Sequence, residues 1–371
     1  MPAHRSPASS SRTDLLALSR TDAEAFVLRL GWPRYRAVQI LRWLHQKRAK
    51  TVEEMTDLPK ADRAELAETA WIGRAPDCRL LRSSDGTRKL LITLADGLLV
   101  ESVLIPDDDR LTLCLSTQVG CTLDCGFCLT GRMGLKRNLA AHEIVEQVLI
   151  AQDHLEPRER ISNLVLMGMG EPLANMDAVS EAVRRLTDED WGLGIAARRI
   201  TLSTAGMASR LREVAALGVN LAISLNATTN EQRARLMPAV NKLHPLSELL
   251  AACRAYPLPA RRRLTFEYVL LGGVNDSEQD ARRLPKLLNG IRCKLNLIPF
   301  NPFPGSAFRR PDEAQVLKFQ AIVKRAGIET FIRQSRGRDV LGACGQLGET
   351  SPLIPAPDKV ARALTVSESR C

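Results

Sequence analysis

The amino-acid sequence predicts an α/β fold in which a (β/α) barrel, partial or full, follows a small N-terminal helical accessory domain. Three stretches of different character support this prediction. Residues 21–69 are helical in pattern, residues 89–105 contain two short strand-like runs, and apolar strands alternate with amphipathic helices from residue 111 onward. Such alternation is typical of parallel sheets with right-handed crossovers, and residues 96–350 match the roughly 250 residues of a barrel.

The same changes of pattern define the predicted domain boundaries. Residues 1–20 are polar and rich in serine, and we expect them to form a disordered tail. We then expect a basic helical domain over 21–85 and a strand-rich linker over 86–110. The barrel, with a functional C-terminal segment, is predicted over 111–350, and a second tail over 351–371.

The helical domain begins at a predicted capping box, Thr21-Asp-Ala-Glu24. Between Phe26 and Thr51 it has no acidic residue but seven cations: Arg29, Arg34, Arg36, Arg42, Lys47, Arg48 and Lys50. Tryptophan, tyrosine and histidine side chains are interleaved with them. Two interpretations stay open here. The stretch is either a solvated helical face over a small core, or a module whose cations bind phosphates and whose rings stack on bases.

Two strand-like runs, 89–94 and 98–105, flank the turn Ala95-Asp96-Gly97. Seven further strands are predicted for the barrel, at residues 111–116, 163–167, 199–203, 220–225, 264–271, 294–299 and 329–333. Helices fit between them, for example at 141–155, 176–186, 207–217 and 277–288. Because a closed barrel has eight strands, this pattern suits a partial barrel as well as a closed one.

Composition narrows the class of protein. The chain has 52 lysines and arginines against 42 acidic residues, a net charge of +10 that favours polyanionic partners such as nucleic acid. It has no run of eighteen apolar residues and no apolar leader segment, so we expect a cytoplasmic protein without a membrane span. Nine cysteines, an odd number, favour metal or redox chemistry over a disulfide framework.

Three of the cysteines, Cys121, Cys125 and Cys128, fall within eight residues of the loop after the first barrel strand. In barrels, the carboxyl ends of the strands carry the functional site. Thiolates at this spacing fit three irons of a cubane iron–sulfur cluster and leave the fourth iron open. A zinc site would need a fourth ligand, and the nearby His142 lies in a predicted helix. A redox Cys-x-x-Cys pair would leave Cys121 without a role.

The spacing Cys-x3-Cys-x2-Cys, with Phe127 before the last cysteine, resembles the signature of radical S-adenosylmethionine (SAM) enzymes. More narrowly, the chain from about Arg36 to Leu347 resembles the RlmN family of RNA methyltransferases, which implies a radical SAM barrel. The resemblance rests on short blocks in the same order: Met55-Thr-Asp-Leu-Pro-Lys60, Ser84-Asp-Gly-Thr87, Cys114-Leu-Ser-Thr-Gln-Val-Gly-Cys121, Arg137-Asn-Leu139, Met167-Gly-Met-Gly-Glu-Pro-Leu173, Thr201-Leu-Ser-Thr204, Ser224-Leu-Asn226, Pro299-Phe-Asn-Pro-Phe303 and Gly342-Ala-Cys-Gly345.

This resemblance implies a [4Fe-4S] cluster on Cys121, Cys125 and Cys128, with SAM chelating the open iron. In the family, an electron from the cluster cleaves SAM and yields a 5′-deoxyadenosyl radical. The residues that match the family's SAM contacts are Gly170 and Glu171 at the ammonium group, Ser203, Ser224, Leu225 and Asn226 at the carboxylate and ribose, and Asn301 at the adenine edge. From spacing alone, each polar residue is equally a loop-capping side chain at a strand end.

The resemblance also implies roles for Cys344, Cys114 and Glu101. In the family, the cysteine matching Cys344 is methylated by one SAM, and a second SAM provides the radical that removes hydrogen from the S-methyl group. The carbon radical adds to C2 of adenine, and the residue matching Glu101 accepts the C2 proton. The cysteine matching Cys114 releases the product through a transient disulfide. From spacing alone, Cys114 is a buried apolar cysteine and Glu101 an exposed strand carboxylate.

The expected substrates and partners come from the resemblance alone. They are an adenosine of 23S rRNA near the peptidyl-transferase centre, the adenosine 3′ of the anticodon in tRNA, and a flavodoxin-type electron donor; we expect a monomer. Two alternatives stay open: a Cfr-like enzyme that methylates C8, and a non-enzymatic iron–sulfur or zinc RNA-binding protein. The basic helical domain favours the C2 enzyme. No role is assigned to the remaining cysteines, Cys78, Cys253, Cys293 and Cys371.

Overall fold

The structure, a computed structural model, describes residues 12–348 and 369–370. The predicted tails, 1–20 and 351–371, thus lie largely outside the described residues. Residues 12–20 are described, and they belong to the helical module: β1 (Thr13–Asp14) pairs with β2 (Ala70–Trp71), and Leu15 and Leu16 are buried. The predicted boundary at residue 20 is wrong because these two leucines, flanked by polar residues in the sequence, contribute to the core of the module.

The helical module contains α1 (Arg20–Arg29), α2 (Tyr35–His45) and α3 (Lys60–Thr69). Helix α1 is capped two residues before the predicted position. The Ser19 hydroxyl accepts a hydrogen bond from the Asp22 backbone N–H at 3.1 Å, and the Asp22 carboxylate accepts one from the Ser19 N–H. The predicted pair, Thr21 and Glu24, lies inside the helix, because two capping patterns overlap here and the earlier one forms.

The module packs directly against the rest of the chain. Its hydrophobic core includes Leu149 and Trp191, which both come from the unit that follows. The guanidinium group of Arg185 donates hydrogen bonds to the Leu16 and Ala17 carbonyl oxygens at 2.9 and 3.2 Å. A shared core and buried hydrogen bonds therefore fix the position of the module.

Three strands, β3 (Asp77–Arg82), β4 (Arg88–Thr93) and β5 (Leu99–Asp107), form antiparallel hairpins, and β5 pairs antiparallel with β6 (Arg110–Cys114). The hairpin turns contain Gly86 and Gly97, whose φ angles of +85° and +82° favour glycine. The stretch 86–110, expected as a linker, is therefore part of the main sheet. β3 also joins this sheet rather than the helical module, because it pairs with β4 along its whole length.

A short antiparallel pair, β7 (Gln118–Gly120) and β8 (Leu135–Asn138), encloses the cysteine loop and helix α4 (Leu129–Arg132). Gly120 has a φ angle of +78°, and a Cβ atom there would lie 1.8 Å from the Gly134 carbonyl oxygen. Only glycine allows this close approach of the two strands.

The parallel part of the sheet runs from β6 through β9 (Asn163–Leu166), β10 (Ile200–Thr204), β11 (Asn220–Ser224), β12 (Leu264–Leu270), β13 (Cys293–Pro299) and β14 (Thr330–Ile332). The remaining helices are α5 (Ala141–Asp153), α6 (Met176–Thr187), α7 (Leu211–Ala216), α8 (Asn230–Leu236), α9 (Pro238–Leu243), α10 (Leu246–Arg254), α11 (Glu278–Leu287) and α12 (Glu313–Arg325). All seven strands predicted for the barrel are present.

Within the described residues the barrel does not close. β14 pairs with β13 alone, and the other side of β6 is taken by β5, so the wall is open between β14 and β6. β15 (Ser369–Arg370) pairs antiparallel with β3 at the opposite edge of the sheet. Across the described part of the chain, no helix has the length and apolar character needed to cross a membrane.

Candidate active site

The three cysteines of the predicted cluster motif lie in the loop between β7 and α4. Their side chains are half-buried, and all three line one cavity, here called the first cavity, at the carboxyl ends of the parallel strands. The loop folds back on itself: the Cys128 N–H donates to the Cys125 carbonyl oxygen at 3.0 Å, and the Leu123 N–H donates to Cys121 Sγ at 3.3 Å. The fold thus presents three thiols to one space.

The chemistry of these thiols fits an iron–sulfur cluster. Burial raises the pKa of Cys121 to about 12 and holds the pKa of Cys125 well above its usual value, and the charge of Cys128 opposes ionisation of both. A group with several positive charges would stabilise all three as thiolates. Among the described residues, no three His, Cys, Asp or Glu side chains are placed to hold a single metal ion. Thiolates that bind separate irons of a cubane agree with both observations.

Gly170 and Glu171 form the wall of the first cavity beyond β9. Gly170 has a φ angle of +103°, and a Cβ atom there would lie 2.6 Å from the Gln118 side chain, so this position requires glycine. The buried Glu171 carboxylate accepts hydrogen bonds from the Leu173 and Ala205 N–H groups at 3.0 and 2.7 Å. Burial raises its pKa and these bonds oppose the rise. A carboxylate fixed in this way suits a cationic group such as an ammonium.

Ser203 and Ser224 lie in the neighbouring strands β10 and β11 and line the first cavity. Both are partly exposed, and within residues 12–348 neither hydroxyl has a protein partner, which leaves both available to a ligand. Leu225 and Asn226 are buried, and Asn226 adopts a left-handed backbone conformation with a φ angle of +56°. Its side-chain oxygen accepts a hydrogen bond from the Val269 N–H at 2.8 Å, so the fold already uses this amide.

Asn301 follows β13 and connects two parts of the site. Its Nδ2 donates to the Cys344 carbonyl oxygen at 3.1 Å, and its Oδ1 accepts a hydrogen bond from Arg310 at 3.2 Å. The sequence predicts contact with an adenine edge at this position but not a bond to the backbone of Cys344. Asn301 lines the first cavity while it holds Cys344 beside the cysteine loop.

Cys344 lies at the boundary of two cavities. It lines the first cavity together with Cys128, and it lines a second cavity together with Cys114 of β6. Burial, together with the nearby Cys344, raises the pKa of Cys114 to about 12. The thiol of Cys344 is exposed to these cavities, yet the surrounding protein raises its pKa, and Arg333 opposes the rise at both thiols. The structure therefore brings both of these cysteines close to the cluster motif.

Glu101 is buried in β5 and lines neither of these two cavities. Its Oε2 atom lies 2.8 Å from Lys89 Nζ in β4 and accepts a hydrogen bond from the Gly348 N–H at 3.0 Å. The interpretation as an exposed strand carboxylate is wrong, because residues 337–348, here called the Cys344 segment, cover this face of β4 and β5. Glu101 therefore contacts the Cys344 segment from the strand β5 that the segment covers.

Sequence analysis does not identify two buried charged residues of this region. Glu267 of β12 lines the first cavity, where burial raises its pKa, and Lys89 of β4 pairs with Glu101. Glu267 carries a signal in the sequence, since it interrupts the apolar strand pattern Leu264-Thr-Phe-Glu-Tyr-Val-Leu270, whereas Lys89 directly precedes the apolar run Leu90-Leu-Ile92. A charged side chain in a buried strand needs a partner, and such a position therefore indicates a polar site.

The basic stretch of the helical module (residues 29–50) is largely neutralised by acids from elsewhere in the chain. The ion pairs are Arg34–Glu24, Arg36–Asp62, Arg42–Asp190, Lys47–Asp57, Arg48–Asp153 and Lys50–Asp153. By contrast, Arg333 and Arg336 line the second cavity. Neither has an acidic partner within 4.0 Å among residues 12–348. Positive charge is thus more available at the cavities than along α2.

The fold and this site define a class of enzyme. A parallel β/α sheet with a three-thiol loop at its carboxyl edge is the framework of radical SAM enzymes, and the sequence model of the radical SAM superfamily matches residues 115–284. The model of the ribosomal RNA large subunit methyltransferase N-terminal domain matches residues 13–72, which are the residues of the helical module.

Known relatives narrow this class. The dual-specificity RNA methyltransferase RlmN of Desulfosudis oleivorans is 52% identical over 314 residues, which are 84% of this chain and 84% of that relative. The protein of the same name from Geobacter sulfurreducens is 49% identical over 345 residues, 92% of this chain and 94% of that relative. The crystal structure of a radical SAM methyltransferase from Sphaerobacter thermophilus matches with a TM-score of 0.85 and 43% identity, covering 90% of this chain and 99% of that chain. The chain belongs to the RlmN family.

Proposed function

We propose that this protein methylates C2 of a specific adenosine in 23S rRNA, near the peptidyl-transferase centre, and the adenosine 3′ of the anticodon in tRNA. The observation that carries the proposal is the position of Cys344, which borders both the cavity of the cysteine loop and the cavity of Cys114. A thiol there is accessible to a methyl donor on one side and to a substrate on the other. The name of the relatives, dual-specificity RNA methyltransferase, supports the substrate class.

In this proposal Cys121, Cys125 and Cys128 hold a [4Fe-4S] cluster, and SAM binds in the first cavity against Glu171 and the two free serine hydroxyls. When bound, the cluster and two SAM molecules per turnover supply the electron, the radical and the methyl group. The chain itself contributes a cavity with few competing polar groups and a fixed carboxylate for the ammonium of SAM. Gly170 keeps this wall free of side chain.

The residues of the chain then handle the methyl group and the proton. Cys344 loses its proton and takes a methyl group on sulfur. Once the methyl carbon is bonded to C2 of the base, Glu101 accepts the proton that C2 loses. The Cys114 thiolate attacks the sulfur of Cys344 and forms a disulfide. The carbon–sulfur bond breaks with its electron pair on the carbon, which takes up a proton and becomes the methyl group of the product. A two-electron thiol reductant then resets the disulfide. Because Glu101 lines neither cavity, its role requires the Cys344 segment to shift when substrate binds.

The RNA backbone is proposed to cross the second cavity. Arg333 and Arg336 line this cavity, and the exposed Arg338 lies two residues beyond Arg336 in the Cys344 segment. Arginine without an acidic partner is well suited to bind phosphate. The helical module acts as the accessory RNA-binding domain in this proposal, but its contribution is secondary because most cations of its basic stretch already contact acids.

The remaining parts of the proposal follow from the reaction. A flavodoxin-type protein donates the electrons, since each cleaved SAM consumes one. The enzyme acts as a monomer in the cytoplasm, where rRNA and tRNA are made. We propose C2 rather than C8 as the methylated carbon because the helical module accompanies the radical SAM domain.

Reconstituted protein tests this proposal directly. With a reductant, SAM and 23S rRNA or tRNA, we expect 5′-deoxyadenosine, and we expect 2-methyladenosine in digests of both RNAs. Finding 8-methyladenosine instead would identify a Cfr-like enzyme, and absence of 5′-deoxyadenosine would exclude radical SAM chemistry.

Variants of the two proposed methyl-handling cysteines separate the steps. Cys344→Ala should abolish methylation, and Cys114→Ala should leave protein covalently attached to RNA. Cys293→Ala is the matched control, because Cys293 is half-buried and lines neither cavity. Normal turnover by Cys114→Ala would contradict the release step.

A further inference from the structure

The Cys344 segment is attached to the antiparallel strands by a small number of polar contacts. The Asp85 carboxylate accepts a hydrogen bond from the Gly337 N–H at 2.8 Å. Two residues later, the Asp339 carboxylate accepts hydrogen bonds from the Ser83 hydroxyl at 2.5 Å and the Ser84 N–H at 3.1 Å. The turn between β3 and β4, with its block Ser84-Asp-Gly-Thr87, therefore holds the beginning of the segment.

One buried ion pair holds the part of the segment that carries the cysteine. Lys89 Nζ lies 2.8 Å from Glu101 Oε2 and donates a hydrogen bond to the Leu341 carbonyl oxygen at 3.1 Å. The same Glu101 oxygen accepts a hydrogen bond from the Gly348 N–H at 3.0 Å. Leu341 precedes Cys344 and Gly348 follows it. The ion pair thus anchors the chain on both sides of the thiol.

Burying the Lys89–Glu101 ion pair costs free energy, which indicates that the pair has a specific role. Lys89 has 0% and Glu101 3% of its surface exposed, and each ion loses its hydration in the fold. Apolar side chains of similar volume would fill this space at a lower cost in free energy, as Leu81, Leu91 and Val340 do beside it. What apolar side chains cannot supply is a donor for the Leu341 carbonyl oxygen and an acceptor for the Gly348 N–H.

We propose that Lys89 is a positioning residue that, through its ion pair with Glu101, keeps Cys344 at the boundary of the two cavities. Lys89 touches neither cavity and acts through Leu341, Glu101 and Gly348. The structural part of this proposal stands on the contacts alone, and its consequence for methyl transfer rests on the proposed function. Glu101 accepts the Gly348 bond and pairs with the Lys89 ammonium group that donates to Leu341, so a proton bound to Glu101 weakens the attachment of the segment.

Lys89→Met removes the charge and all three donors while keeping an unbranched side chain only one atom shorter. The matched control is Arg88→Met in the same strand. Arg88 is 4% exposed and pairs with Glu159 at 2.8 Å, but it does not contact the Cys344 segment. Both variants remove one buried cation, so a general loss of stability affects both. Lys89→Arg, which keeps the charge, is the conservative rescue.

Amide hydrogen exchange of peptides within 337–348, measured on the full chain without substrate, tests the structural part. We expect exchange at least tenfold faster in Lys89→Met, unchanged in Arg88→Met, and largely restored in Lys89→Arg. Glu101→Gln imitates the protonated carboxyl group and should also speed exchange, and it replaces Lys89→Met if that variant does not fold. Unchanged exchange in Lys89→Met and Glu101→Gln would overturn the proposal. So would an increase in Arg88→Met equal to that in Lys89→Met.

The catalytic part is tested by the ratio of 5′-deoxyadenosine formed to methyl groups transferred in the reconstituted enzyme. We expect this ratio to rise several-fold in Lys89→Met, with SAM cleavage retained, because Cys344 is displaced while the cysteine loop and Glu171 of the first cavity keep their places. Arg88→Met should keep the wild-type ratio. If wild-type enzyme transfers no methyl group, the proposed function fails and the exchange result still stands. If wild-type enzyme is active and Lys89→Met matches it in ratio, the positioning role fails.

Discussion

The basic stretch of the helical module and the arginines beside the second cavity carry similar charge in the sequence but differ in what that charge contacts. Six of the seven cations in the stretch lie within 4.0 Å of an acid. Arg333 and Arg336 have no such neighbour within residues 12–348. Charge along a sequence therefore does not locate a phosphate-binding surface. What locates it is charge that the fold leaves unpaired.

The two regions also differ in their attachment to the protein. The helical module shares its core with Leu149 and Trp191. Two of its cations, Arg42 and Arg48, bond to residues that lie 148 and 105 positions away along the chain. Removing the module would expose these apolar side chains. A truncation would therefore measure lost stability together with lost RNA binding, and single substitutions separate the two.

The largest effect is expected at the shared core. Trp191 is 2% exposed and packs into the core of the module, so Trp191→Ala should lower the free energy of unfolding by about 3–5 kcal/mol. Chemical denaturation followed by helix content and by tryptophan fluorescence should show one common transition for module and barrel. Two separate transitions in the wild-type protein would show that the module folds independently.

The second effect is a loss of stability at low pH that arises at the same interface, between the helical module and the barrel. Burial, together with the charge of Arg185, lowers the pKa of His45 to about 3, and neither ring nitrogen has a hydrogen-bond partner among the described residues. The unfolded chain gains a proton below pH 6.5 that the folded chain takes up only near pH 3. Stability from this residue is therefore complete above pH 6.5 and falls as the pH decreases, by about 3 kcal/mol at pH 4.5. His45→Leu should remove this loss in unfolding measurements between pH 7 and 4.5. A variant with the wild-type pH dependence would contradict the assignment.

The third effect is on RNA binding at the second cavity. Replacing Arg333 and Arg336 together by glutamine should weaken RNA binding about tenfold at physiological salt. It should also reduce the slope of log K against log [salt] by about 1.4, the value for two phosphate contacts on a single strand. Titration of a fluorescent RNA at several salt concentrations measures both quantities. An unchanged slope would place the phosphate contacts elsewhere.

The smallest effect is expected in the basic stretch, which supplies the matched comparison. Arg42 and Arg48 pair with Asp190 and Asp153 at partly exposed positions. Replacing both by glutamine removes the same charge as the previous double variant, but the salt dependence of RNA binding should change little. Exposed ion pairs contribute about 0–1 kcal/mol each, so stability should fall only slightly. A slope reduced as much as in the cavity variant would restore the helical module as the main RNA-binding surface.

The sequence predicts much of the fold because its strands and helices differ in local pattern. All seven parallel strands and the cysteine loop are where apolar runs and cysteine spacing indicate. The errors are of a different kind. The use of Leu15 and Leu16 in a core, the acids that pair with the basic stretch, and the burial of Glu101 all depend on residues distant in the chain.

In the candidate site, too, some features follow from local sequence and others depend on tertiary contacts. Ser203 and Ser224 lie in the last residues of their strands and Cys344 lies after the last parallel strand, and all three line the first cavity. Lys89 stands in β4 directly before the apolar run Leu90-Leu-Ile92, but its contact with Leu341 is a property of the tertiary fold. Local pattern predicts which strand end a residue occupies. It does not predict which side chains the protein uses for itself, as it uses the amides of Asn226 and Asn301.

The open side of the barrel has a consequence for how Cys344 can move. An eighth strand between β14 and β6 would be tied to both neighbours by a continuous hydrogen-bond ladder, and shifting one residue would disturb the whole strand. The chain instead crosses this region as a segment held at separate points, among them Asp85, Lys89, Glu101 and Asn301. A few bonds can exchange there while the wall remains intact. Because no strand of the described residues fills this gap, the Cys344 side chain can change its neighbours without the cost of unfolding part of a sheet.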